Sequence, residues 1–281
     1  MSAALSFASV FHWVMTMAMD VVDYEIFGDD MQYVEIELDP GEAAIGEAGA
    51  LMMMQDGVEM DTIFGDGSAQ QTGLMGKLLG AGKRLVTGES LFTTIFHNES
   101  RQKRRVAFAA PYPGKIIPVK LSEMGGTLIC QKDSFLCAAR GVSLGIAFQR
   151  KLGAGLFGGE GFIMQKLDGE GMVFVHAGGT LMARDLAPGE VLRVDTGCVV
   201  AFQPSVDFDI QFVGKLKSAL FSGEGVFFAT LRGPGRVWLQ SLPLSRLANR
   251  IIASAPRAGG RQVGEGSVLG ALGGLLDGDN S

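Results

Sequence analysis

The sequence predicts an all-β protein: three repeated units, sandwich-like or of the double-stranded β-helix kind, in a pseudo-threefold arrangement. Three observations lead there. The stretch Lys151–Gly171, KLGAGLFGGEGFIMQKLDGEG, returns altered as Lys215–Gly235, KLKSALFSGEGVFFATLRGPG, with a fainter copy at Lys77–His97. Runs of four to eight apolar or alternating residues are separated by short turn-forming clusters. Glycine, 41 of 281 residues, is about twice as frequent as in an ordinary globular chain and gathers at those turns.

The repeat is positional. A shift of 64 places Gly159-Glu160-Gly161 on Gly223-Glu224-Gly225, and a shift of 71 places Gly88-Glu89-Ser90 on Gly159-Glu160-Gly161. Pro40-Gly41-Glu42 meets Pro188-Gly189-Glu190 at a shift of 148, and Gly41 meets Gly125 at a shift of 84. Similarity at a fixed period outranks any local reading, and one such unit alone is too small to bury its own faces. The predicted organisation is an extension (1–20), one β body (21–252) of three units (24–110, 111–179, 180–252) and a flexible Gly-rich tail (253–281).

Met1–Asp20 carries no Lys or Arg before its first acid, unlike a secretory signal or a transit peptide, and reads as an extension outside the fold. From Tyr24 the pattern turns to β. Met31–Leu38, MQYVEIEL, alternates as a half-buried strand does. Pro40-Gly41 turns the chain, and Ala43–Met54 and Val58–Phe64 continue as strands. Gly73–Val86 is the least β-like piece and reads as a short amphipathic helix or coil. His97–Arg105, HNESRQKRR, is a charged hairpin tip. Strands follow at Lys115–Leu121, Thr127–Gln131, Ser134–Ala139, Val142–Phe148, Phe162–Leu167 and Met172–His176. The third unit supplies Thr180–Asp185, Val191–Val194, Cys198–Phe202, Val206–Val213, Phe227–Leu231 and Val237–Ser241, and Leu244–Ile252 reads as a terminal helix. Beyond it only Val268–Leu276, VLGALGGLL, is apolar.

The composition narrows the function classes. A net charge of −6 argues against a large nucleic-acid footprint and suits a cytoplasmic protein. No stretch reaches the ~18 consecutive apolar residues of a spanning helix. Cys130, Cys137 and Cys198 lie in apolar runs without metal-ligand spacing and read as small buried hydrophobes.

Candidate chemistry is sparse. Gly153, Gly155 and Gly158 match GxGxxG, but the motif leads into a turn and a strand rather than a helix, so no cofactor is expected. His12, His97 and His176 have no ligand-spaced neighbours; His176, after an apolar run, reads as a satisfied core histidine, and no metal site is expected. Glu89, Glu160 and Glu224 recur at one point of each unit. They are either a set of acid/base or cation-binding carboxylates or turn residues that accept backbone N–H bonds, and threefold recurrence favours the structural role. Arg101, Lys103, Arg104 and Arg105 form a dense basic run with no interleaved aromatic residue, unlike an RNA-binding platform.

GEAGALMMM (Gly46–Met54), APYPGKIIP (Ala110–Pro118), KLGAGLFGGEGF (Lys151–Phe162), LAPGEVLRVDTG (Leu186–Gly197) and GPGRVWLQSLP (Gly233–Pro243), in this order, resemble the mitochondrial biogenesis family and its bacterial relatives. The resemblance covers about residues 24–252. It implies a fold like that of the tryptophan RNA-binding attenuation protein, subunits that join into a ring-like trimer, and an association with the inner membrane in the mitochondrial members. It transfers no catalytic residue, and fold alone carries over neither RNA nor tryptophan binding. The expectation is a non-enzymatic homo-oligomeric scaffold or interaction protein with a protein partner. Peripheral membrane association through Gly73–Val86 and Val268–Leu276, and small-ligand binding between repeats using Glu160 and its equivalents, are the alternatives.

Overall fold

The computed structural model describes residues 22–64, 92–150, 162–212 and 227–254. The chain divides into two compact parts, Met1–Ser245 and Arg246–Ser281. Among the described residues the first part is built of antiparallel strands. In chain order they begin with β1 (Asp23–Phe27), β2 (Tyr33–Leu38), β3 (Ala43–Gly46), β4 (Leu51–Met54), β5 (Val58–Phe64), β6 (Phe92–Asn98) and β7 (Arg104–Ala109). Then come β8 (Gly114–Lys120), β9 (Thr127–Gln131), β10 (Phe135–Ala139), β11 (Ser143–Arg150), β12 (Phe162–Asp168) and β13 (Met172–Gly178). The last are β14 (Leu181–Leu186), β15 (Val191–Asp195), β16 (Val199–Phe202), β17 (Asp207–Phe212), β18 (Phe227–Arg232) and β19 (Gly235–Gln240). One α-helix, α1 (Leu244–Ser254), follows. No helix among the described residues is long and apolar enough to cross a membrane.

Four sheets result, ordered β1-β2-β7-β4, β5-β6-β3-β10-β13-β8, β11-β12-β9-β16-β19-β14 and β15-β18-β17. Alternation in the sequence becomes alternation in burial where a sheet has one covered face. In β2, Val34, Ile36 and Leu38 are fully buried and the residues between them are half-buried. In β13 nearly every residue is buried, because both faces of the sheet are packed. Val173 and Val175 enter one apolar cluster with Leu128, Cys130 and Trp238. Phe174, between them, enters another with Ile36, Phe96 and Phe108. A third cluster gathers Ile129, Phe162, Val237 and Leu239. Each six-stranded sheet thus serves two cores, one on each face.

The Pro-Gly turn is fixed by backbone conformation. Gly41 and Gly189 have φ of 86° and 78°, and a Cβ at either would meet nothing within 4 Å. What requires glycine there is the left-handed backbone, not space. The following Glu closes each turn: Asp39 N–H donates to Glu42 Oε2 at 2.8 Å, and Ala187 N–H to Glu190 Oε2 at 2.9 Å.

One strand reading needs correction. Ala43–Met54 is not a single strand. A 3-10 turn, Ala48–Ala50, closed by Ala50 N–H to Glu47 O at 3.0 Å, breaks it, and the halves join different sheets. A run of small and apolar residues gives no period by which a break can be seen. The readings on Met1–Asp20, Gly73–Val86 and Val268–Leu276 lie outside the described residues.

Candidate functional site

The repeated carboxylates Glu89, Glu160 and Glu224 lie outside the described residues, as do His12 and the glycines at 153, 155 and 158. The basic run lies within them. It forms the turn from β6 to β7, organised by Asn98. This buried amide donates to Leu38 O at 2.8 Å and Gln102 O at 2.9 Å, and accepts from Ser100 N–H at 3.0 Å. The cations then fold back on their own sheet. Lys103 Nζ lies 2.8 Å from Glu37 Oε1 and 3.3 Å from Asp39 Oδ1. Arg105 spans Glu35 at 2.7 Å and Glu37 at 3.1 Å. The hydrogen bonds from Lys103 and then Arg105 hold Glu37 below the usual carboxylate range. Arg104 Nε donates to Asp56 O at 2.7 Å. Charges engaged in this way form a solvated ion-pair network rather than a phosphate-binding face.

Two of the histidines are described. His97 Nδ1 is 3.5 Å from Glu99 on the same turn. His176 on β13 is 1 % exposed, stacked edge-on against Tyr112 at 4.4 Å between ring centroids. The expectation of a satisfied core histidine holds for its burial only, since neither ring nitrogen makes a well-formed hydrogen bond. Burial pulls its imidazole down to about 4 from 6.5, weakly opposed by the Tyr112 backbone. Gly114 has no side chain because a Cβ there would strike Ala177 O and come 2.6 Å from His176 Nε2. Nearby, Asp30, Pro113, Gly114, Lys115, Gly179, Thr180 and Leu181 line an open cleft of about 400 Å³. Lys115 Nζ donates to Asp29 O there at 2.7 Å.

Cys130 and Cys137 are fully buried and Cys198 is half-buried. Burial pushes the Cys130 thiol up to about 12 and Cys137 well above its ordinary value, which leaves no thiolate nucleophile at either. Among the described residues no three His, Cys, Asp or Glu side chains gather as a metal site would require.

The feature that the sequence reading missed is a pair of strand edges. Among the described residues β4 pairs with β7 alone and β15 with β18 alone. Met52 and Met54 on β4 are 52 % and 42 % exposed, and Val191 on β15 is 43 % exposed. The available signal was the uncharged run Leu51–Met54, LMMM, which suits a covered strand better than an edge.

A family described as mitochondrial biogenesis AIM24 matches residues 24–242, which takes in every strand but the first residue of β1. The chain belongs to the mitochondrial biogenesis AIM24 family. An uncharacterised protein of Streptococcus pyogenes serotype M6 is 31 % identical to it over 222 residues, 78 % of this chain and 84 % of the relative. The crystal structure of a Streptococcus pyogenes protein superposes with a TM-score of 0.66 at 25 % identity, covering 83 % of this chain and 100 % of that one. The all-β body of this chain is therefore shared with that crystal structure.

Proposed function

We propose that this AIM24-family chain is a non-enzymatic scaffold that associates with itself, one six-stranded unit written three times and built into a homo-oligomer, a ring of three copies being favoured. The observation that carries the reading is one pairing scheme met three times. Take the strands in sets of six: β2–β7, β8–β13, β14–β19. In each, the first and third pair with the sixth. The second and fourth pair with the fifth. The register slips at one place in each third strand, between Leu51 and Met53, Phe135 and Cys137, Val199 and Ala201. One turn bond recurs as well: Asn98 N–H to Glu42 O, Gly169 N–H to Gly126 O and Gly233 N–H to Glu190 O, at 2.9, 3.0 and 2.9 Å. This supports the pseudo-threefold sandwich array that the family resemblance implies. The exposed methionines of β4 supply apolar surface for association. Size-exclusion chromatography with light scattering tests it: an oligomer at micromolar concentration is expected, and a clean monomer sinks the reading.

One observation favours a second reading, a cytoplasmic protein peripheral to a membrane. Helix α1, LSRLANRIIAS, has no buried residue, and Ile251 and Ile252 are 60 % and 71 % exposed. Arg246 and Arg250 add positive charge to the same helix, as in helices that lie in a lipid interface. Flotation with anionic vesicles tests this, with Ile251→Glu expected to abolish binding; an absence of co-flotation for the intact chain refutes it.

A further inference from the structure

The chain contains two junctions between successive six-strand sets, and they share one register. At the first, β3 pairs with β10, with Gly46 opposite Cys137 and Ile45 opposite Ala138. At the second, β9 pairs with β16, with Cys130 opposite Ala201 and Ile129 opposite Phe202. A shift of 84 carries Gly46 to 130, and a shift of 64 carries Cys137 to 201. The second strand of one set always meets the third strand of the next. Two strands are left without this partner among the described residues: β15, a second strand, and β4, a third strand.

The side chains at these edges point the same way. Met52 corresponds to Leu136 and Val200, which are 2 % and 0 % exposed, while Met52 is 52 % exposed. Leu136 packs into the cluster of the first set and Val200 into that of the second, each one set earlier than its own strand. Met52 therefore faces the place where a third-set core would sit. Met54, 42 % exposed, corresponds to Ala138 and Phe202, which are 0 % and 4 % exposed. A bare edge with apolar side chains and unpaired N–H and C=O groups is a template for one more strand.

We propose that β15 of one copy adds antiparallel to β4 of a second copy, with Val194 opposite Met53 and Arg193 opposite Met54. The inference rests on the self-association reading and specifies its interface. The pairing merges the sheets into one ordered β17-β18-β15-β4-β7-β2-β1, the counterpart of the two internal six-stranded sheets. The contact is head-to-tail, so it closes a ring if the rotation per copy allows and otherwise extends. Arg193 stands where Ile45 and Ile129 stand. Its stem covers apolar surface while its guanidinium reaches the rim, and the charge keeps β15 from pairing indiscriminately. It also weakens the junction, which raises the concentration that assembly requires.

Cross-linking tests the register. In a Cys198→Ser background, Arg193→Cys and Met54→Cys are prepared as separate full-length chains, mixed and mildly oxidised. Directly opposed residues of an antiparallel pair lie within disulfide reach. A disulfide-linked dimer is expected from the mixture and from neither variant alone. Arg193→Ile should tighten association about tenfold, and Met52→Glu should weaken it at least about tenfold. Self-linking of Met54→Cys would overturn the proposal in favour of a two-fold β4 contact. A chain with both cysteines that links only within itself would overturn it in favour of closure inside one copy. An oligomer by light scattering with no cross-link refutes this junction and leaves the scaffold reading standing; a monomer removes both.

Discussion

Strands β2 and β13 each lie between two neighbours in an antiparallel sheet, yet they are written differently. β2, YVEIEL, places acids on every second residue, and its outer face carries the ion pairs of Lys103 and Arg105. β13, MVFVHAG, has no charged acid or base apart from a histidine, and its two faces enter two cores. The number of covered faces sets the pattern: one face gives alternation, two give a continuous apolar run. β4 breaks this correspondence. Its LMMM is written like a doubly covered strand and is exposed like a singly covered one. That mismatch is the physical reason for assigning it a partner.

The contrast is testable by removing side chains from each region. Phe174→Ala, on the doubly covered strand, should cost about 3–5 kcal/mol, measured by denaturant unfolding, because the cavity opens among fully buried Ile36, Phe96 and Phe108. A loss no larger than that of a surface substitution would mean that the two-faced core is wrong.

His176 sharpens the same contrast through pH. Its folded pKa, about 4, lies below the ordinary 6.5, so the folded state binds the proton less readily than the unfolded state. Its contribution is intact above pH 6.5 and is lost as pH falls through about 4, on the order of 3 kcal/mol in all. His176→Gln puts at this position the residue that Gln240 supplies in the third set. There the amide accepts from Gly178 N–H at 2.7 Å and donates to Gly197 O at 2.8 Å. The variant should show a shallower stability-versus-pH slope across that window; an unchanged slope excludes His176 as its source.

The smallest effect is expected on the singly covered face. Arg105→Ala removes ion pairs to Glu35 and Glu37 that water already screens, so the unfolding midpoint should move little and the difference should vanish at high salt. A large, salt-independent loss would show that this face is covered, contrary to the alternation of β2.

Much of this was legible beforehand. The sequence predicts Val58–Phe64 and Thr127–Gln131 with the observed bounds and Leu244 as the start of the helix, because turn residues and period mark such edges locally. The break at Ala48–Ala50 was not legible, since two short apolar strands in different sheets look like one long one. Nor was the lack of a well-formed hydrogen bond at His176, which depends on Tyr112 and Gly114 arriving from another strand and turn.

By itself the sequence determined the class of structure, the place of its turns and the family to which it belongs, because strand period, left-handed glycines and repeat spacing are properties of neighbouring residues. The tertiary structure alone decided which strands meet. Pairing is settled between segments distant in the chain, by which faces can be buried together. Only there do β4 and β15 emerge, among the described residues, as the third and second strands that lack the partner their counterparts have.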